Sequence, residues 1–260
     1  MTRILPALVL VFVMQTPTQY PDTRKDAIVE DHFGRTIADP YRWLEDDNSA
    51  ETKAWVQAQN KVTFAYLESL PLRDRFKKRL TELWTYEKYG VPSKQGSWFV
   101  FSRMAGADKQ PIVYRATNVN APPTKDNILI DPHVFDAAGK VAISGLGFSH
   151  DGKYVAYGVS TGGSDWVEWR VRDVATTRDL PDVVKWSKFS GASWRKDGSG
   201  FFYSRYAEPS AGEALRGLNQ NQQVYFHKLG TPQSADTLVY ERRDQPDWIF
   251  NASVTEDGRH

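Results

Sequence analysis

The 260-residue sequence contains no cysteine. That absence excludes disulfides, thiolate zinc sites, iron–sulfur clusters and a cysteine nucleophile together. It leaves the redox compartment open, since a chain without thiols suits either environment. The sequence also lacks a charge excess, with 33 Lys+Arg against 32 Asp+Glu and a formal net charge of +1. A nucleic-acid binder would show a basic surplus, and a disordered interaction tail would show long like-charge blocks. No apolar run reaches the roughly 20 residues of a membrane-spanning helix; the longest is Ile4–Met14. What is abundant is aromatic: 9 Trp, 12 Tyr and 13 Phe, side chains that suit half-buried sheets.

Arg3 followed by the run Ile4–Met14 has the form of a signal peptide, a positive start and a short apolar core. Residues 1–19 are therefore expected to be removed on export. The mature chain would begin near Tyr20, in a periplasm or outside the cell. If the run is instead a buried strand or helix, the location is cytoplasmic.

Two amphipathic helices follow. Asn48 with Glu51 suggests a capping box. Trp55, Ala58, Val62, Ala65 and Tyr66 then mark one helical face over about 49–68. Pro71 stands near the start of a second helix with the stripe Leu72, Phe76, Leu80 and Leu83. Its basic residues Arg73, Arg75, Lys77, Lys78 and Arg79 read as a solvated face. The pair is a helical hairpin that needs something to pack on. The acidic trio Glu45–Asp47 just ahead of it suits a helix N-terminus better than catalysis.

From Gly90 the pattern becomes strand-like: Trp98–Arg103, Pro111–Arg115, Tyr154–Ser160, Trp166–Val171, Gly200–Arg205, Gln223–His227 and Thr237–Tyr240, separated by turn clusters. This part also repeats. Phe148-Ser-His-Asp-Gly-Lys-Tyr-Val-Ala-Tyr157 matches Trp194-Arg-Lys-Asp-Gly-Ser-Gly-Phe-Phe-Tyr203. Val254–His260 begins a third copy, and Pro92–Phe101 is a looser fourth. The turn glycines Gly96, Gly152, Gly198 and Gly258 are 56, 46 and 60 residues apart. Asp-Gly favours a tight hairpin because such turns need positive φ. A hairpin recurring at this period in an all-β segment predicts a β-propeller, one blade per repeat; the alternative is a β-sandwich with fortuitous turns. Only Arg259 and His260 follow the last Asp-Gly, and three blades plus the start of a fourth are fewer than a typical closed ring. The expectation is the front portion of a longer protein.

Catalytic motifs are missing. There is no G-x-S-x-G elbow; Gly162-Gly-Ser164 and Gly191-Ala-Ser193 lack the closing glycine. H-E-x-x-H, P-loop and calcium-loop patterns are absent as well, and Gly145-Leu-Gly147 lacks the third glycine of a dinucleotide fingerprint. The five histidines, His32, His133, His150, His227 and His260, have no ligand spacing. No catalytic residue, metal or cofactor is assigned from these residues.

At Tyr20-Pro-Asp-Thr-Arg-Lys-Asp26 and Asp39-Pro-Tyr-Arg-Trp-Leu-Glu-Asp46 the sequence resembles the N-terminal part of the prolyl oligopeptidase family. Further matching stretches are Glu51–Asn60, Tyr154–Gly158, Gly163–Trp166, Leu180–Val183 and Leu229–Thr231, so the likeness runs from Tyr20 to His260. It implies a serine peptidase acting after proline on short peptides, with an α/β-hydrolase domain built from both ends of the chain. Inserted in that domain is a seven-bladed propeller that restricts entry. On that pattern residues 20–89 are the N-terminal helical part of the catalytic domain. Residues 90–260 are the front half of the propeller, and the Ser/Asp/His triad lies in a C-terminal portion outside this sequence. The resemblance also implies two outer-pocket residues. Phe189, in Trp186-Ser-Lys-Phe-Ser, is one; read from the residues alone it is equally a blade-core aromatic. Ile249, after Asp247-Trp248, is the other, where the family often has Met. The implied partners are short proline-containing peptides and the missing C-terminal α/β-hydrolase domain. The reading from a different class is a non-catalytic propeller-type module that binds a peptide or protein.

Overall fold

The computed structural model describes residues 19–106, 108–210, 214 and 217–260. The expected export signal over 1–19 lies almost wholly outside the described residues. The chain divides into two compact units, the first ending at Leu83 and the second covering Trp84–His260.

The first unit opens with a short hairpin, β1 (Val29–His32) and β2 (Arg35–Ala38), turned through Phe33 and Gly34, both at positive φ. Helices α1 (Ala50–Ser69) and α2 (Arg73–Trp84) follow. The cap of α1 is not the Asn48/Glu51 box. Ser49 is the N-cap, and its Oγ accepts from Thr52 N at 3.0 Å. Glu51 is engaged elsewhere, taking a hydrogen bond from Arg24 Nε at 2.7 Å. The chain ahead of the helix is also tied down by Trp55, whose Nε1 donates to Thr23 Oγ1 at 2.9 Å. The apolar stripe of α2 lies open, with Leu72, Phe76, Leu80 and Leu83 all at least half exposed. Leu72, Phe76 and Leu80 line a groove of about 720 Å³ with Leu67 near the end of α1 and Leu70 of the connecting turn.

The second unit is a partial β-propeller, and its described residues form three antiparallel sheets. The first holds β3 (Lys88–Tyr89), β4 (Ser93–Gln95), β5 (Trp98–Met104), β6 (Ile112–Ala116) and β7 (Ile128–Ile130); β3 and β4 both pair with β5. The second is the four-strand meander β8 (Val141–Phe148), β9 (Tyr154–Thr161), β10 (Val167–Asp173) and β11 (Asp179–Ser187). The third repeats it with β12 (Ser193–Trp194), β13 (Gly200–Arg205), β14 (Gln223–Lys228) and β15 (Thr237–Tyr240).

The four turn glycines all have positive φ: Gly96 at 56°, Gly152 and Gly198 at 69°, Gly258 at 73°. The turn at Thr255–His260 copies the one at Ser149–Tyr154 bond for bond. Ser149 N donates to Tyr154 O and Thr255 N to His260 O, both at 2.9 Å. Ser149 Oγ donates to Asp151 and Thr255 Oγ1 to Asp257, both at 2.6 Å. A hydroxyl two residues ahead of the Asp is what both turns need. Arg195 stands at that place in the third sheet, where Ser199 supplies the hydroxyl to Asp197 instead.

Alternation along β9 builds the core. Val155 and Tyr157 face the first sheet, packing with Val100, Val113, Leu129 and Ile130. Ala156 between them faces the third, packing with Trp169, Val171, Trp194, Phe201 and Tyr203. A strand buried on both faces explains the unbroken apolar character of Tyr154–Tyr157. Glycine is required at two points of β8, one for the approach of the third sheet and one for a ring of its own sheet. A Cβ on Gly147 would collide with Ala192 O, and one on Gly145 would lie 2.9 Å from the Trp169 ring.

Polar groups are repeated at equivalent places in the second and third sheets. Tyr157 and Tyr203, both fully buried, donate to Asp179 at 3.0 Å and to Asp236 at 2.7 Å. Burial pushes the Tyr157 phenol up to about 12, which keeps it a donor. The third strand supplies the partner of the Asp in each case. Arg172, opposite Val155, pairs with Asp179, and His227, opposite Phe201, lies 2.7 Å from Asp236 through Nδ1. The first sheet carries Phe101 and Ala116 at these positions, and there the contact is apolar. His227 Nε2 also reaches Asp182 of β11 at 3.1 Å, joining the second sheet to the third.

Candidate functional site

The end of β11 and its connection to β12 hold two bulky residues in the left-handed region. Trp186 has φ of 63° and Phe189 of 52°, and neither is glycine. A bulky residue in the left-handed region costs about 1–2 kcal/mol and persists only where surrounding bonds impose it. Here three hydrogen bonds do so. Tyr206 N donates to Trp186 O at 2.9 Å, Gln222 Nε2 to Lys188 O at 2.8 Å, and Ser204 N to Ser190 Oγ at 2.7 Å.

This conformation sends neighbouring side chains in opposite directions. Lys188 is buried, with its Nζ 3.9 Å from the centre of the Trp166 ring and donating to Asn219 Oδ1 at 2.9 Å. Burial lowers the ammonium below its ordinary value, and Asp165 opposes the shift. Trp166 is held by edge-on contacts with Trp186 and Tyr206 and by its Nε1 bond to Ala214 O. Phe189 points outward and is 43% exposed, so it is not a blade-core aromatic. Ile249, in the segment after β15, is 54% exposed. Trp248 beside it lies under the guanidinium of Arg242 at 5.0 Å.

Phe189 and Ile249 are 60 residues apart in sequence, yet one polar run ties their segments together. Asn219-Gln-Asn-Gln222 lies in the loop between β13 and β14, and each residue of it makes a separate cross-link. Asn219 holds Lys188. Gln220 Nε2 donates to Asp247 Oδ1 at 2.9 Å, and Asn221 N to Pro246 O at 2.7 Å. Gln222, only 1% exposed, binds Lys188 O and also accepts from Phe250 N at 2.6 Å. Its two partners fix the orientation of the amide, since a carbonyl needs a donor and an N–H needs an acceptor. None of these four residues was singled out from the sequence. The available signal was the density of carboxamides in Asn219–Gln223, which does not say what they bind.

The arrangement presents two exposed apolar side chains on a strained, hydrogen-bonded frame. Among the described residues around it there is no nucleophile–base pair. Among the described residues no group of His, Asp and Glu is placed to hold a metal ion. No helix among them is long and apolar enough to cross a membrane.

Comparison with known proteins agrees with this fold. The family model for the prolyl oligopeptidase N-terminal beta-propeller domain matches residues 21–260. The chain is 40% identical to a prolyl endopeptidase of Elizabethkingia meningoseptica, over 93% of this chain and 34% of that protein. It is 31% identical to prolyl oligopeptidase A of Amanita bisporigera, over 100% of this chain and 38% of the relative. Among solved structures, prolyl oligopeptidase B of Galerina marginata bound to a 25mer macrocyclization substrate aligns with a TM-score of 0.80 and 30% identity. That alignment covers 94% of this chain and 36% of the other. The chain thus spans about a third of the length of the curated relatives it matches.

Proposed function

The chain belongs to the prolyl oligopeptidase family of serine peptidases, and from that premise we propose that it is the N-terminal portion of an exported endopeptidase that cleaves short peptides after proline. The observation that carries this reading is the match over residues 21–260 to relatives named as prolyl endopeptidases, of which the chain spans only a third. In this proposal the hydrolase part expected over residues 20–89 is supplied by the first unit, up to Leu83, while Lys88 and Tyr89 pair as β3 with β5 of the first propeller sheet. The open stripe Leu72, Phe76, Leu80 and Leu83 is the face that unit offers to the rest of the hydrolase domain. Residues 90–260 form part of the propeller that restricts access to the active site. Phe189 and Ile249 line the outer substrate pocket, taking an apolar side chain of the peptide. The chemistry is acyl transfer by a Ser/His/Asp triad supplied by the rest of the protein: Ser attacks the carbonyl, His carries the proton and Asp orients the His.

The test compares two preparations on a Gly-Pro reporter peptide. The 260-residue chain alone is expected to give no turnover. The protein extended through its catalytic domain is expected to cleave after proline, and to lose that activity when the nucleophilic serine is replaced. Turnover by the isolated chain that co-purifies with it through successive columns would overturn the assignment, as would an extended protein that ignores proline.

A further inference from the structure

We propose that Gln222 is a positioning residue that sets the shape of the outer pocket by holding Phe189 and Ile249 in register with each other. This rests on the reading of Phe189 and Ile249 as pocket residues and adds the element that places them.

The carboxamide of Gln222 touches neither residue. It binds the backbone next to each: Lys188 O, whose peptide bond leads into Phe189, and Phe250 N, whose peptide bond leaves Ile249. Both bonds are short, and the side chain joining them is buried. A buried amide with each end engaged is costly to disturb, because removing it leaves a carbonyl and an N–H unpaired.

Phe189 is also the place where a lost bond has most effect. Its φ of 52° is unfavourable for a phenylalanine, and of the three bonds that impose it the one from Gln222 is on the carbonyl directly ahead of it, so losing that bond lets Phe189 move toward ordinary φ. That relaxation swings the ring. Ile249 has no strand pairing of its own, since β15 ends at Tyr240. The Gln222–Phe250 bond is the nearest backbone anchor it has among those described, with Trp248 N on Gln245 O at 3.2 Å on the other side. Gln222 itself is rigidly seated, standing one residue ahead of β14 and next to Asn221, whose backbone is bonded to Pro246. One side chain on a strand end thus fixes two loops.

The experiment measures KM and kcat separately in the protein that includes its catalytic domain. One substrate is a short reporter ending close to the proline; the other is extended at its amino end by an apolar residue. Gln222→Met keeps the length and removes both hydrogen bonds. It is expected to raise KM for the extended substrate about tenfold with kcat held, and to leave the short reporter within about twofold. Gln222→Glu keeps the acceptor for Phe250 N and loses the donor to Lys188 O; an intermediate rise in KM is expected, again confined to the extended substrate. If Gln222→Met does not accumulate as folded protein, Gln222→Glu carries the same comparison. Equal losses on both substrates would mean a general structural role and overturn the proposal, as would no loss on either. Phe189→Ala and Ile249→Ala are measured in parallel. If they show no dependence on substrate length, the pocket reading itself falls. If they do and the Gln222 variants are silent, the pocket stands and the positioning role falls.

Discussion

Gly96 and Gly152 stand back to back, the turn of one sheet seated against the turn of the next: a Cβ on Gly152 would lie 2.5 Å from Gln95 O, and one on Gly96 would strike Asp151 O. Gly198 has the same positive φ as Gly152, yet a Cβ there would meet nothing within 4 Å. The two positions separate backbone strain from inter-sheet packing.

Gly198→Ala is expected to cost about 1–2 kcal/mol, the strain of a left-handed alanine. Gly152→Ala should exceed it by at least about 1 kcal/mol, because the turns must also move apart. Urea unfolding of the two variants side by side gives the comparison; equal losses would show that the turns do not bear on each other.

His227 lies fully buried between Asp182 and Asp236. Burial by itself would lower its pKa, but the two carboxylates outweigh that and raise it. A raised folded-state pKa stabilises below the unfolded value, near 6.5, and that contribution disappears as pH rises through the folded value. The urea midpoint of the native sequence should therefore fall as pH is raised from about 6.5, and His227→Gln should show a flatter profile. His227→Leu, which strips two buried carboxylates of their shared partner, should cost about 3–5 kcal/mol. Parallel pH profiles for the native and Gln proteins would contradict this account.

Ser187 links the second and third sheets through one hydroxyl. It accepts from Trp169 Nε1 at 3.1 Å and donates to Ser204 O at 2.7 Å. Ser187→Ala is expected to cost about 1–3 kcal/mol by stranding the indole N–H. In a Trp169→Phe background the same substitution should cost measurably less. A double-mutant cycle with no coupling would show that the indole bond contributes nothing.

The exposed α2 stripe should bind an apolar dye and promote association of the 260-residue chain. Replacing Phe76 and Leu80 together by Lys is expected to reduce dye fluorescence and shift sedimentation toward monomer, while far-ultraviolet dichroism stays unchanged. Dye binding that persists undiminished would place the sticky surface elsewhere.

The parts of this fold readable from sequence are those whose local chemistry allows one answer. The Asp-Gly turns are of that kind, because their hydrogen bonds and positive φ are satisfied within six residues. Strands rich in aromatic or β-branched residues, such as Gly200–Arg205 and Thr237–Tyr240, appear with the expected bounds. Strand β8 was not legible, because Gly145 and Gly147 are glycine for the sake of Trp169 and Ala192, residues far along the chain. Strand β11 was hidden by Pro181, Asp182 and Lys185; Asp182 is buried where His227 and the Gly230 N–H, both far along the chain, meet it. The hairpin β1–β2 has almost no buried face to produce alternation. At the site, Phe189 and Ile249 came from family likeness alone. Gln222 could not be found at all, since its meaning depends on two segments that only the folded chain brings to it.

The turn at Thr255–His260 is received by the third sheet. Lys196 Nζ bonds Glu256 O, Val254 N donates to Ser193 Oγ at 2.9 Å, and Gly258 sits where a Cβ would lie 2.5 Å from Lys196 Cβ. Trp194 likewise reaches back to Gly147 O at 2.8 Å, and the Gly152 turn to the Gly96 turn. In every case the docking place belongs to the sheet made earlier in the chain. A polypeptide leaving the ribosome at about 5–20 residues per second therefore finds each seat already built when the next turn emerges, so that the order of synthesis can also be the order of assembly.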